Sequence, residues 1–248
     1  MGKTKTLLSI LFQLCFLISC APRQLTADNP PEHWGKRALS IDEVIGTTAD
    51  YSTEKGKNLR IKHEKNLGNI FNDIRSKYEF TKVEFVPVAQ IDHKRIGGLG
   101  FQKCIGYCNS LSTANDDRYL AVMVVLPSDS FDKLQSTFNE RAAKIFSKYA
   151  KSLLTIMVNQ TDIISDKDIE GIWLSMAWST TNQQNPASLR LRGEAINIVT
   201  SKIHGEEFIS SAISDQEFIS KSQIFGAQEG KDLGKVNLTL EISKGRPQ

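Results

Sequence analysis

Residues Tyr119-Leu120-Ala121-Val122-Met123-Val124-Val125-Leu126 form an unbroken apolar and aromatic run. It is far too short to cross a bilayer, which takes about 20 residues as a helix. Its length is that of a strand covered on both faces. Pro127 ends the run, and Ser128, Asp129 and Ser130 offer N-caps. Phe131, Leu134, Phe138, Ala142, Ile145 and Tyr149 then fall on one helical stripe, and Leu153 to Val158 is a second apolar run. Strand, helix and strand in that order predict a βαβ unit, with its two strands parallel and its crossover right-handed.

Beyond this unit the period changes from helical to alternating. Ile172, Leu174, Met176 and Trp178 alternate with Trp173, Ser175, Ala177 and Ser179. After a polar loop, Leu189 and Leu191 alternate with Arg190, Arg192 and Glu194. The pair predicts an antiparallel hairpin with one wet face, on which Arg190, Arg192 and Glu194 are solvated. At Gly193 the apolar register moves to Ile196 and Ile198, which predicts a β-bulge. Residues 206–225 read as helix in two pieces, with Asp215 capping the second. A last strand is expected from Val236 to Ile242. The fold class is therefore α/β: a mixed sheet with a central parallel βαβ unit, a C-terminal antiparallel hairpin and helices packed on the sheet.

Ahead of the unit, the apolar residues of 53–78 fall at helical spacing from Leu67 onward, and the basic residues opposite them read as a solvated face. Val83 to Ile91 reads as a strand broken at Pro87, and residues 92–118 as a long loop. Asp166-Lys167-Asp168 reads as a solvated turn. It starts like a calcium loop, but the position that needs a bidentate acid holds Ala177.

The first twenty residues have a different logic. Lys3 and Lys5 precede an uncharged apolar stretch from Thr6 to Ser19, the layout of a secretory signal peptide. The stretch ends Leu17-Ile18-Ser19-Cys20-Ala21. This ending resembles the lipobox of bacterial lipoproteins: an apolar residue, two tolerant positions and an obligatory Cys. The resemblance covers residues 1–20 alone. It implies that Cys20 is acylated and becomes the first residue of a mature chain of 229 residues. Ala21, rather than an Asp, after that Cys resembles the outer-membrane sorting pattern. The expected organisation is a signal peptide over 1–19, a lipidated Cys and flexible tether over 20–50, and one α/β domain over 51–245. The tether carries Pro22, Pro30 and Pro31.

Charge and motifs narrow the function classes. The formal net charge is +3, but removal of Lys3 and Lys5 leaves 29 basic side chains against 28 acidic ones. A net of +1 gives no electrostatic footprint for nucleic acid. Gly97-Gly98-Leu99-Gly100 lacks the spacing of a nucleotide loop. The sequence holds no Gly-x-Ser-x-Gly elbow and no His-Glu-x-x-His. His33, His63, His93 and His204 lie far apart and read as surface residues. No cofactor, metal ligand or catalytic residue is assigned. The expected role is non-catalytic, in binding, assembly or structural support in the cell envelope. The partners would be membrane lipid, through the acylated N-terminus, and an envelope protein or polymer. Two alternatives stay open: an exported hydrolase built around the 92–118 loop with His93, and a solute-binding protein.

With Cys15 in the signal and Cys20 acylated, Cys104 and Cys108 are the remaining pair. In an oxidising compartment they form a structural disulfide, with Gly106 easing the turn; free thiols or a metal or redox pair are the alternatives. Mass spectrometry of the mature chain without reductant is expected to find these two cysteines joined. Two alkylatable thiols, or a metal that a chelator removes, would contradict the pairing.

Overall fold

The computed structural model describes residues 37–91, 94–102, 118–181, 192–229 and 231–240. In chain order the elements are α1 (Ile41–Ile45), α2 (Glu54–Lys62), α3 (Glu64–Lys77), β1 (Glu84–Phe85), β2 (Ala89–Ile91), β3 (Lys94–Ile96), β4 (Leu99–Gln102) and β5 (Tyr119–Asp132). Helix α4 runs through Phe138–Ile145, a π-turn Phe146–Ala150 and Lys151–Val158. There follow α5 (Thr161–Ile164), β6 (Gly171–Thr181), β7 (Arg192–Ser201), α6 (Lys202–Ile209), α7 (Asp215–Lys221), β8 (Gln223–Gln228) and β9 (Lys231–Lys235).

Seven strands make one mixed sheet in the order β1-β5-β6-β7-β8-β9, and β4 also pairs with β5. Strands β5 and β6 are parallel, from Tyr119 opposite Gly171 to Asp132 opposite Thr181. The other pairs are antiparallel. Alternate residues of β5, β6 and β7 (Leu120, Val122 and Val124; Ile172, Leu174 and Met176; Ile196 and Ile198) are buried in the main core with the helices. Ala121, Met123, Trp173 and Val199 point the other way and form a second, smaller cluster. A strand that feeds two clusters has to be apolar at every position, which is why 119–126 carries no charge.

The expected α/β architecture, its parallel βαβ unit and its antiparallel hairpin are all present, but several elements sit elsewhere. Leu153 to Val158 is the end of α4, not a strand. Leu153, Leu154 and Met157 are fully buried there, and Ile156 and Val158 nearly so. A helix packed on all sides is apolar on all sides, so it lacks the stripe that would mark it. The second parallel strand is β6. Pro127 does not stop β5, which continues after a register shift between Leu126 and Ser130. The residue that caps α4 is Thr137, in a reciprocal capping box with Glu140, not one of Ser128 to Ser130. Ser214, not Asp215, caps α7. Residues 223–225, read as helix, open β8. Among the described residues the last strand is β9, and residues 236–240 run on without a strand partner; the end of the expected strand, Glu241 and Ile242, lies outside them.

The N-terminal half differs as well. Residues 53–78 are two helices, broken at His63. Residues 94–96 and 99–102 are strands rather than loop. Between them Gly97 and Gly98 have φ of +85° and +63°. A Cβ on Gly98 would sit 2.0 Å from the Val44 carbonyl oxygen, so this crossing of α1 and β4 admits only glycine. Leu39, Val44 and Ile45 are buried in the main core, so the packed domain starts near residue 39 and not after a tether ending at 50.

One buried ion pair joins the layers. Glu194 is fully buried on β7, on the same face as Ile196 and Ile198. Pairing of β6 with β7 runs without a shift through Gly193, so the expected bulge is absent and Glu194 points into the core rather than to solvent. Its Oε2 accepts from Arg141 Nε (2.8 Å) and Trp178 Nε1 (3.1 Å). Its Oε1 accepts from Arg141 Nη2 (2.7 Å) and Gln228 Nε2 (2.6 Å). Desolvating two charges is costly, and geometry this complete is what offsets it. Glu194→Leu in the full chain is expected to lower the unfolding free energy by about 3–5 kcal/mol in urea denaturation, because it leaves the guanidinium buried and alone. Arg141→Met combined with Glu194→Leu is expected to recover most of that loss. Additive losses in the double variant would contradict the coupling.

Candidate functional site

Cys20, Cys104, Cys108 and His93 lie outside the described residues. Among the described residues no group of three His, Cys, Asp or Glu side chains is placed to hold a metal ion. The polar constellations that the fold does assemble come from residues far apart in sequence.

The first is at His63. The ring is buried at the break between α2 and α3, not on the surface. Its Nε2 lies 2.7 Å from Asp166 Oδ2, which also accepts from Lys62 Nζ at 2.8 Å. Asp166 is buried too, in the turn before β6 that was read as solvated. Its Oδ1 accepts the Asp168 N–H (3.0 Å), and its carbonyl accepts from Lys202 Nζ (2.8 Å). The cluster ties the helical N-terminal layer to the start of β6 and to α6. Burial works to raise the Asp166 pKa, and hydrogen bonds from Lys62, the Asp168 N–H and His63 outweigh it. The carboxyl therefore titrates well below the usual carboxylate range.

The second constellation forms where two irregularities meet. Between Leu126 and Ser130 the β5–β6 register slips, and Pro127, which has no N–H to give a ladder, sits at the slip. Asp129 is carried there. Opposite it stands the π-turn of α4, a rare geometry that is frequent at functional sites. Two neighbours within that turn reach the same carboxylate. Tyr149 donates its hydroxyl to Asp129 Oδ2 at 2.5 Å, and Lys148 Nζ donates to Oδ1 at 2.8 Å. Burial, and then the bond to Asp129, push the Tyr149 phenol up. The bond to Asp129 does the same for the Lys148 ammonium. Both groups stay protonated at neutral pH, so the cluster offers donors and a fixed charge rather than a poised base.

Lys148 also ends a surface groove of about 680 Å³. Asn139, Ala143 and Ser147 line one wall at helical spacing along α4, the first and last exposed and Ala143 buried between them, with Lys144 beside them. Thr239 and Leu240 form the other wall. Glu140 is held in its capping box at the helix start, accepting the Thr137 N–H at 2.6 Å. Lys144 has no ion-pair or hydrogen-bond partner among the described residues. The groove is a shallow, mixed surface with a small-residue wall, a cationic end and an extended chain along its side. Its signal in the sequence was the alternation of Val236, Leu238 and Leu240, which reads as a strand but does not say that the strand is unpaired.

The chain shows no match to any protein-family model, to any curated protein or to any solved structure.

The Asp166 cluster makes stability depend on pH in a defined direction. A carboxyl whose pKa is lower folded than unfolded adds stability that is complete above the unfolded value, near 3.9. That stability is lost as pH falls toward the folded value. Asp166→Asn is expected to melt below wild type at pH 7, with the gap narrowing steadily below about pH 4. A gap that does not change with pH would contradict the assignment.

Proposed function

We propose that this chain is a cell-envelope lipoprotein, anchored through acylated Cys20, whose folded domain binds or supports a partner in the envelope rather than catalysing a reaction. The observation that carries the reading is the export signal: Lys3 and Lys5, an uncharged apolar stretch and Leu17-Ile18-Ser19-Cys20. Diacylation supplies the two chains that stable anchoring requires. From Cys20 to the first packed residue, Leu39, the chain spans at most about 65 Å when fully extended. The domain thus sits close to the membrane, and the orientation that Ala21 suggests is the periplasmic face of an outer membrane.

The use of buried charge supports binding over catalysis. Glu194 and Arg141 bind one another and hold three elements. Glu84, fully buried, accepts from Arg75 at 2.5 Å. His63 and Asp166 join two layers. Each of these groups serves the scaffold. Among the described residues the surface carries a groove of ordinary chemistry, suited to recognition.

Cys20→Ala is expected to move the protein out of the membrane fraction or to leave it unprocessed at its full length. Membrane association and processing identical to wild type would contradict the anchor.

A further inference from the structure

We propose that the groove between α4 and residues 236–240 takes an extended, acidic peptide segment of a partner protein, added as a strand along the open backbone edge of Asn237 and Thr239. Successive residues of an extended chain present their N–H and C=O to opposite sides. Residues 236–240 leave β9 in such a conformation, and Val236 still donates to the Ile224 carbonyl at 2.8 Å. Further on, a side chain replaces the missing strand on one side. Gln216 of α7 accepts the Leu240 N–H at 3.2 Å and donates to the Leu238 carbonyl at 3.5 Å. The intervening residues, Asn237 and Thr239, face the other way, and among the described residues their backbone groups have no partner. Thr239 lines the groove.

A strip of unpaired backbone beside a helix is the arrangement that strand addition uses. Main-chain bonds give affinity there, and side-chain positions along the groove give selectivity. Two features set the kind of peptide. Ala143 and Leu240 are the apolar members of the lining. Lys144, exposed and without an ion-pair partner among the described residues, sets a cation beside them that favours an acidic neighbour, while Glu140 on the same wall is held in its capping box and Lys148 is paired with Asp129. The own edge strand β9 is a poorer template, since Lys231, Asp232, Gly234 and Lys235 blunt it with charge and glycine. The inference deepens the binding role proposed above and depends on it only for the partner being an envelope protein.

The full chain, purified in detergent, is panned with a phage library of random linear heptapeptides, and the recovered peptides are titrated by fluorescence anisotropy. The proposal expects acidic peptides that Thr239→Pro binds at least about tenfold more weakly, because Pro removes an N–H that the fold does not use. Lys144→Gln, which removes the exposed cation on the wall, is expected to weaken them similarly, and melting temperatures should not change. A third readout needs no protein variant: N-methylation of the peptide at alternate residues should abolish binding, and at the residues between should not. Failure to recover any peptide, equal binding by both variants, or indifference to N-methylation would each overturn the proposal. The membrane release of Cys20→Ala is read separately, so either idea can fail while the other stands.

Discussion

The contact on which the rest of the structure depends is the one between Arg141 and Glu194. A fully buried carboxylate on the central strand β7 has no water to turn to, and four donors from three elements fill it. Arg141 comes from α4, Trp178 from β6 and Gln228 from β8. Arg141 also donates to the Ser136 carbonyl ahead of the helix. The guanidinium fork therefore fixes how α4 is turned about its own axis over the sheet. That rotation decides which residues of α4 face outward, and the exposed Asn139, Lys144 and Ser147 belong to the wall of the groove. The charge in the core and the surface on which recognition is proposed are two sides of one helix.

The same logic governs the irregular places. A regular sheet under regular helices would leave Asp129 and Tyr149 no reason to meet. The register slip at Pro127 and the π-turn each depart from regular geometry, and they depart toward one another. The result is a second polar tie of α4 to the sheet, this one to β5 where Arg141 reaches β7. Two polar ties hold the helix, one deep and one near the surface. The His63–Asp166 cluster does similar work for the N-terminal layer, joining residues 103 apart in sequence.

Which parts of this were legible in the sequence follows from range. Alternation over 172–178 and 196–198 placed the antiparallel pair, because a period of two is a local property. The unbroken run at 119–126 correctly announced a central strand. Leu153 to Val158 misled, since full burial erases the difference between a helix and a strand in so short a window. Glu194 misled for another reason. A charge between apolar alternates reads as a change of face, and its true compensation, Arg141, lies 53 residues away. His63 and Asp166 looked like surface residues for the same cause. The groove was half visible: the alternating 236–240 segment announced extended chain, while the absence of a partner strand is a fact of topology alone.

Strand addition at the groove requires the backbone edge at residues 236–240 to be open in the free protein. Residue-resolved amide hydrogen exchange on the full chain tests this directly. Rapid exchange is expected for the Asn237 and Thr239 amides beside slower exchange for Val236 and Leu240, whose N–H groups are bonded within the fold. Protection of Asn237 and Thr239 equal to that of Val236 would show that the edge is already occupied, and would contradict strand addition there.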